Sequence, residues 1–69
     1  MSTVEAKING VRQSIPAGET LLTLVGRLGL QPDRLAIELD GKIVKPPAWP
    51  TTCIDDGAEV EIVHFVGGG

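Results

Sequence analysis

Only one segment of this chain, Thr20 to Leu28, shows helical apolar spacing; the other patterned segments alternate with the period of a strand. Leu21, Leu24, Val25 and Leu28 fall at i, i+3, i+4 and i+7, with Leu22 beside them, and make one apolar stripe of a helix. A sheet with one apolar face must be covered, and a single helix is available to do it. That helix therefore packs across one face of one sheet, which is an α+β arrangement.

The strands are read from their alternation. Val4, Ala6 and Ile8 alternate with Thr3, Glu5 and Lys7, giving a first strand with one buried face. Asn9-Gly10 follows as a type I′ hairpin signal. Val11, Gln13 and Ile15 give a second strand, which Pro16-Ala17-Gly18 ends. Thr20 is the expected helix N-cap, with an incomplete box because Thr23 stands where Glu or Gln usually sits. Gly29 suits the left-handed position after the helix, with Leu30 making the following apolar contact. Gly26 either brings the helix close to the sheet or is simply tolerated there.

Pro32-Asp33-Arg34 reads as a turn, and Leu35, Ile37 and Leu39 as the buried face of a third strand. Asp40-Gly41 turns into a short strand at Lys42 to Val44. Pro46, Pro47 and Pro50 predict an irregular stretch. Asp56-Gly57 is another turn, and Ala58 to Phe65 is the last strand. A hairpin, a helical crossover and further strands are the elements of a β-grasp, with a mixed four- to five-stranded sheet. Periodicity leaves the strand order open. The expected division is a β-grasp domain over residues 1–66 and a flexible glycine tail over residues 67–69.

Composition narrows the function. With 69 residues the chain is one small domain, near the lower limit for a core without covalent staples. Cys53 is the only cysteine and His64 the only histidine, too few for the usual zinc or iron–sulfur ligand sets. The net charge of −3 and the two aromatics, Trp49 and Phe65, make a poor nucleic-acid binder. No apolar run is long enough to span a bilayer, and Met1 to Gly10 carries no signal-peptide pattern. A lone cysteine without such a signal fits the cytoplasm. No catalytic constellation is evident, so the chain is expected to be a partner of enzymes rather than an enzyme.

The final third brings a resemblance. Asp56-Gly57, the alternating strand through Phe65, and Val66-Gly67-Gly68-Gly69 resemble the end of the ThiS family, the ubiquitin-like sulfur carriers of thiamine biosynthesis. Ala17-Gly18-Glu19-Thr20-Leu21 is similar to that family's lead into its helix, and Asp40-Gly41-Lys42-Ile43-Val44 with Trp49 to its hairpin and downstream tryptophan. One departure is local: Lys45 and Pro46 stand where the family commonly has Pro then Arg, so a contact of that Arg does not carry over.

The resemblance implies a mechanism centred on the carboxylate of Gly69. A ubiquitin-activating-type partner would adenylate it with ATP and Mg. A sulfur donor system would convert it to a thiocarboxylate, and a thiazole synthase or another sulfur acceptor would take the sulfur. The carrier itself would bind no cofactor. Gly67 and Gly68 suit a narrow channel into a partner's active site, since they have no side chains, and three extended residues reach about 10 Å. Three terminal glycines also occur as a frayed end.

Parity on the last strand puts Val60, Ile62 and His64 on one face and Val63 and Phe65 on the other. The second pair is the candidate docking patch beside the tail; the alternative is cover by a loop. Cys53 is expected to be a small buried hydrophobe rather than a sulfur relay, and Trp49 a core plug. Glu38, Glu59 and Glu61 are a solvated face or a steering patch for a basic partner. Two other functions stay open: a carrier for molybdopterin, cysteine or a specialised metabolite, and a non-catalytic ubiquitin-like interaction or modifier module.

Overall fold

The computed structural model describes residues 2–65. The elements are β1 (Thr3–Ile8), β2 (Val11–Pro16), α1 (Leu21–Arg27), β3 (Leu35–Leu39), β4 (Lys42–Val44) and β5 (Glu59–His64), with 3-10 helices at Pro32–Arg34 and Pro46–Thr51. The sheet is five-stranded in the order β2-β1-β5-β3-β4. β1 and β5 run parallel at its centre, and the other pairings are antiparallel. This is the order that alternation alone left open.

Turn chemistry sets both hairpins. Asn9 and Asp40 each have φ of 51°, followed by Gly10 at 81° and Gly41 at 84°. Two consecutive positive φ values define the type I′ turn, whose twist matches that of the flanking strands. The side chains of these turn residues also reach across the sheet. Asn9 Oδ1 accepts the Ile62 N–H at 2.7 Å, and Asp40 Oδ1 accepts the Glu59 N–H at 2.9 Å. Asp56, in the third turn, accepts the Glu5 N–H at 2.8 Å.

The helix departs from expectation in its N-terminal box and in the extent of its buried stripe, while Gly29 takes the left-handed position expected of it. The box at its start is complete: Thr20 Oγ1 accepts the Thr23 N–H at 3.1 Å, and Thr23 Oγ1 accepts the Thr20 N–H at 2.8 Å. A threonine hydroxyl thus does what a Glu or Gln does in the commoner box. At the other end Gly29 donates to Gly26 O and Leu30 to Val25 O, both at 3.1 Å, the two bonds of a Schellman motif. Leu28 is the C-cap and is 40% exposed, so the buried stripe is Leu21, Leu24 and Val25 only. Gly26 is exposed, and a Cβ there meets nothing within 4 Å. It is tolerated and brings no surfaces closer.

One core holds the molecule. Ala6, Ile8, Ile15, Leu35, Ile37, Val60 and Ile62 from the sheet join Leu21, Leu24 and Val25 from α1. Trp49 is buried among them and donates its indole N–H to Val44 O at 2.8 Å. It sits in the 3-10 helix Pro46–Thr51, where prolines predicted irregular chain. Proline at the first turn of a helix removes only a donor that would be orphaned there. Ile54 N–H donates to Glu19 O at 2.9 Å and Leu21 N–H to Thr52 O at 3.0 Å, tying the following segment to the start of α1. Cys53 lies in that segment, bridged to Thr20, with its side chain exposed rather than buried as expected.

The one buried acid among the described residues is already partnered. Glu19 accepts the Arg27 Nε–H at 2.7 Å. That hydrogen bond, and then the charge of Glu19, hold the Arg27 guanidinium above its ordinary value.

Candidate functional site

The site is built from β5 outward. Its alternate residues Val60 and Ile62 enter the core at 1% and 7% exposure. Val63 and Phe65 are 52% and 60% exposed, so the expected patch is on the surface and no described segment covers it. His64 shares parity with Ile62, yet it is exposed, because it stands at the end of the strand opposite Leu35. Beyond His64 one further bond is made on the β3 side, from Phe65 N–H to Arg34 O at 2.9 Å. Gly67, Gly68 and Gly69 lie outside the described residues.

The pairing shows a neighbour that strand-by-strand reading missed. Val63 lies opposite Ala36, Glu61 opposite Glu38, and Glu38 opposite Ile43. Ile43 therefore shares the open face of the sheet, and it is 70% exposed. The signal was present in the alternation of β4 but had no meaning until β4 was placed beside β3. Glu38 and Glu61 form a directly opposed like-charge pair within this face, an arrangement that costs stability in a sheet.

The described residues contain no evident catalytic machinery. No group of three or more His, Cys, Asp or Glu among them is placed to hold a metal ion. No helix among them is long and apolar enough to cross a membrane. What they do offer is an open sheet face. This apolar and acidic face includes the end of β5, from Glu61 to Val63.

A mixed sheet with two parallel central strands, flanking hairpin strands and one crossover helix defines a ubiquitin-like β-grasp protein. The chain belongs to the ThiS family, whose model matches residues 4–69. The crystal structure of the thiamine biosynthesis protein ThiS from Geobacter metallireducens superimposes with a TM-score of 0.80 at 28% identity, covering 96% of this chain and 100% of that one. Two thiazole synthases are also similar. That of Paramagnetospirillum magneticum is 36% identical over 62 residues and that of Magnetococcus marinus 32% identical over 62 residues. Each match covers 90% of this chain but 19% of the synthase, so the chain spans about a fifth of the length of these relatives.

Proposed function

We propose that this chain carries sulfur on the carboxylate of Gly69 for the synthesis of a thiazole. The observation that carries the reading is the family match, which runs through residue 69 and so includes the glycine end. A carboxylate is a poor electrophile and needs activation. An adenylating partner of the ubiquitin-activating type, using ATP and Mg, forms the acyl-adenylate on Gly69 and releases pyrophosphate. A sulfur nucleophile at the sulfide oxidation level then attacks the acyl carbon and displaces AMP. The product is a thiocarboxylate, and the carrier undergoes no redox change. A thiazole synthase is the acceptor, a reading supported by the synthases that contain a stretch similar to this chain.

In this scheme Val63 and Phe65 dock the partner, while Gly67 and Gly68 pass through its channel without side chains to obstruct them. The protein is a co-substrate and supplies no acid or base. Incubation with ATP, the adenylating partner and a sulfur source should produce the mass change of oxygen-to-sulfur exchange on the final residue. Removing Gly68 and Gly69 shortens the reach by roughly 7 Å, far beyond the tolerance of a reacting geometry, and should abolish loading. Adding a residue after Gly69 should also block it. Cys53→Ser should still load. Sulfur on Cys53, or loading of the truncated chain, would sink the scheme.

A further inference from the structure

We propose that Asn9 is a positioning residue for sulfur loading: its carboxamide replaces the neighbour that β1 no longer provides and holds the far half of β5 in the sheet. The inference rests on the carrier reading above. β1 pairs with β5 only at Lys7↔Glu59 and Ile8↔Val60. There the chain turns away at Asn9, while β5 continues to His64. On its other side β5 is paired with β3 at each position from Val60 to His64. On the side that β1 leaves, Asn9 supplies two bonds. Its backbone N–H donates to Val60 O at 2.8 Å, and its Oδ1 accepts the Ile62 N–H at 2.7 Å.

The turn alone does not require this side chain. Glycine adopts a positive φ without strain, so Gly-Gly would serve the type I′ turn equally well. What glycine lacks is the oxygen that reaches Ile62. That bond is the last one described on the β1 side of β5, and Phe65 N–H to Arg34 O is the last on the β3 side. Together they set where the chain stands as it leaves Phe65. A strand end held on one side only can pivot. A shift there is passed on to the residues that follow, and reacting groups tolerate displacement poorly.

The molecule contains its own control. Asp40 occupies the equivalent turn position at the same φ and also bonds a β5 amide, that of Glu59. Glu59 is the first residue of β5 and lies at the end away from Phe65. Asn9→Gly and Asp40→Gly therefore remove one similar bond each, at opposite ends of one strand, and both leave an X-Gly turn that tolerates the change.

The test compares Asn9→Gly, Asp40→Gly and Asn9→Asp in amide hydrogen exchange and in ATP-dependent sulfur loading with the adenylating partner. Asn9→Gly should speed exchange at Ile62. It should also lower the kcat of loading about tenfold, a modest part of what ångström-scale misplacement costs. KM should change little, because the docking face is untouched. Asp40→Gly should speed exchange at Glu59 and leave kcat unchanged. Asn9→Asp keeps the acceptor oxygen and should restore both exchange and kcat. Equal kcat losses in the two glycine variants would reduce Asn9 to a structural role and overturn the proposal, as would unchanged kcat in Asn9→Gly. Failure of the unaltered protein to load is a separate outcome, which overturns the carrier reading and this inference with it.

Discussion

The two faces of the sheet use the same kinds of residue to opposite ends. Ile62 and Val63 are neighbours on β5, yet one is 7% exposed and the other 52%. Ile37 on β3 is fully buried, while Ile43 on β4 is 70% exposed. The helix and Trp49 cover one face and leave the other bare. Apolar area on the covered face contributes to folding at roughly 25 cal/mol per Å². Apolar area on the bare face contributes almost nothing to folding and is left for association. Substitutions should therefore separate cleanly by parity, with folding lost from one face and binding from the other.

The strongest attempt to break that separation is Leu24→Ala on the helix side. Leu24 is 1% exposed within the core shared with Ile8, Ile37 and Ile62. Deleting its side chain should cost about 2–5 kcal/mol. A domain this small has only about 3–5 kcal/mol in total. The variant should be largely unfolded by circular dichroism in the absence of denaturant. A native midpoint would show that the helix does not carry the core.

Trp49→Phe should have the next largest effect. The side chain remains aromatic, but buried ring volume is lost together with the N–H that donates to Val44 O. Leaving such a carbonyl without its partner costs about 1–3 kcal/mol. The denaturation midpoint by circular dichroism should fall while the native spectrum is kept. No change would mean that Val44 O finds another donor and that the core closes over the lost ring volume.

The sequence revealed the covered face better than the bare one, and the reason is physical. Alternation and helical spacing report which residues want to be buried. Val4 to Ile8, Leu21 to Val25 and Val60 to Ile62 could therefore be read directly. Whether an apolar residue off that face is covered depends on neighbours brought by strand order, which is non-local. Ile43 gained its place in the patch only once β4 lay beside β3. Misreadings elsewhere have local causes. Leu28 fits the stripe by spacing, but the helix ends one residue before it. Cys53 is apolar by type, yet it stands in a bridge to Thr20 with its side chain outward. The proline run reads as irregular because each proline lacks a backbone donor, whereas Pro46 and Pro47 open a short 3-10 helix and Pro50 lies within it. Parity on β5 indicates the exposure of Val63 and Phe65, whereas the reach of the Asn9 side chain to Ile62 has no signal beyond the turn.

A smaller effect of opposite sign is expected on the solvent side of α1. Gly26→Ala should raise stability by about 1 kcal/mol, because glycine in a helix interior carries that penalty relative to alanine. The added Cβ has open space around it, and Gly26 is not at positive φ. Thermal unfolding should show a higher midpoint with unchanged sulfur loading. A lower midpoint would mean that Gly26 faces a packed surface, contrary to the arrangement of the helix.

The smallest effect on folding, and the sharpest test of the bare face, is Phe65→Ala. Phe65 is 60% exposed, and its backbone bond to Arg34 survives truncation of the ring. Stability should stay within about 0.5 kcal/mol of the unaltered protein, as for most surface changes. Binding to the adenylating partner or the sulfur acceptor should weaken by about 1–2 kcal/mol or more if the ring anchors the interface. Ile43→Ala extends the test across the sheet. Val63 and Ile43 are separated on this face by Glu38 and Glu61. A binding loss in Phe65→Ala alone would confine docking to the end of β5. Losses in both would make the open face a single interface, with the two glutamates inside it and a basic group on the partner to relieve their repulsion. In the remaining case folding falls and no specific binding defect is found; Phe65 would then belong to the core, and parity on β5 would not divide folding from binding.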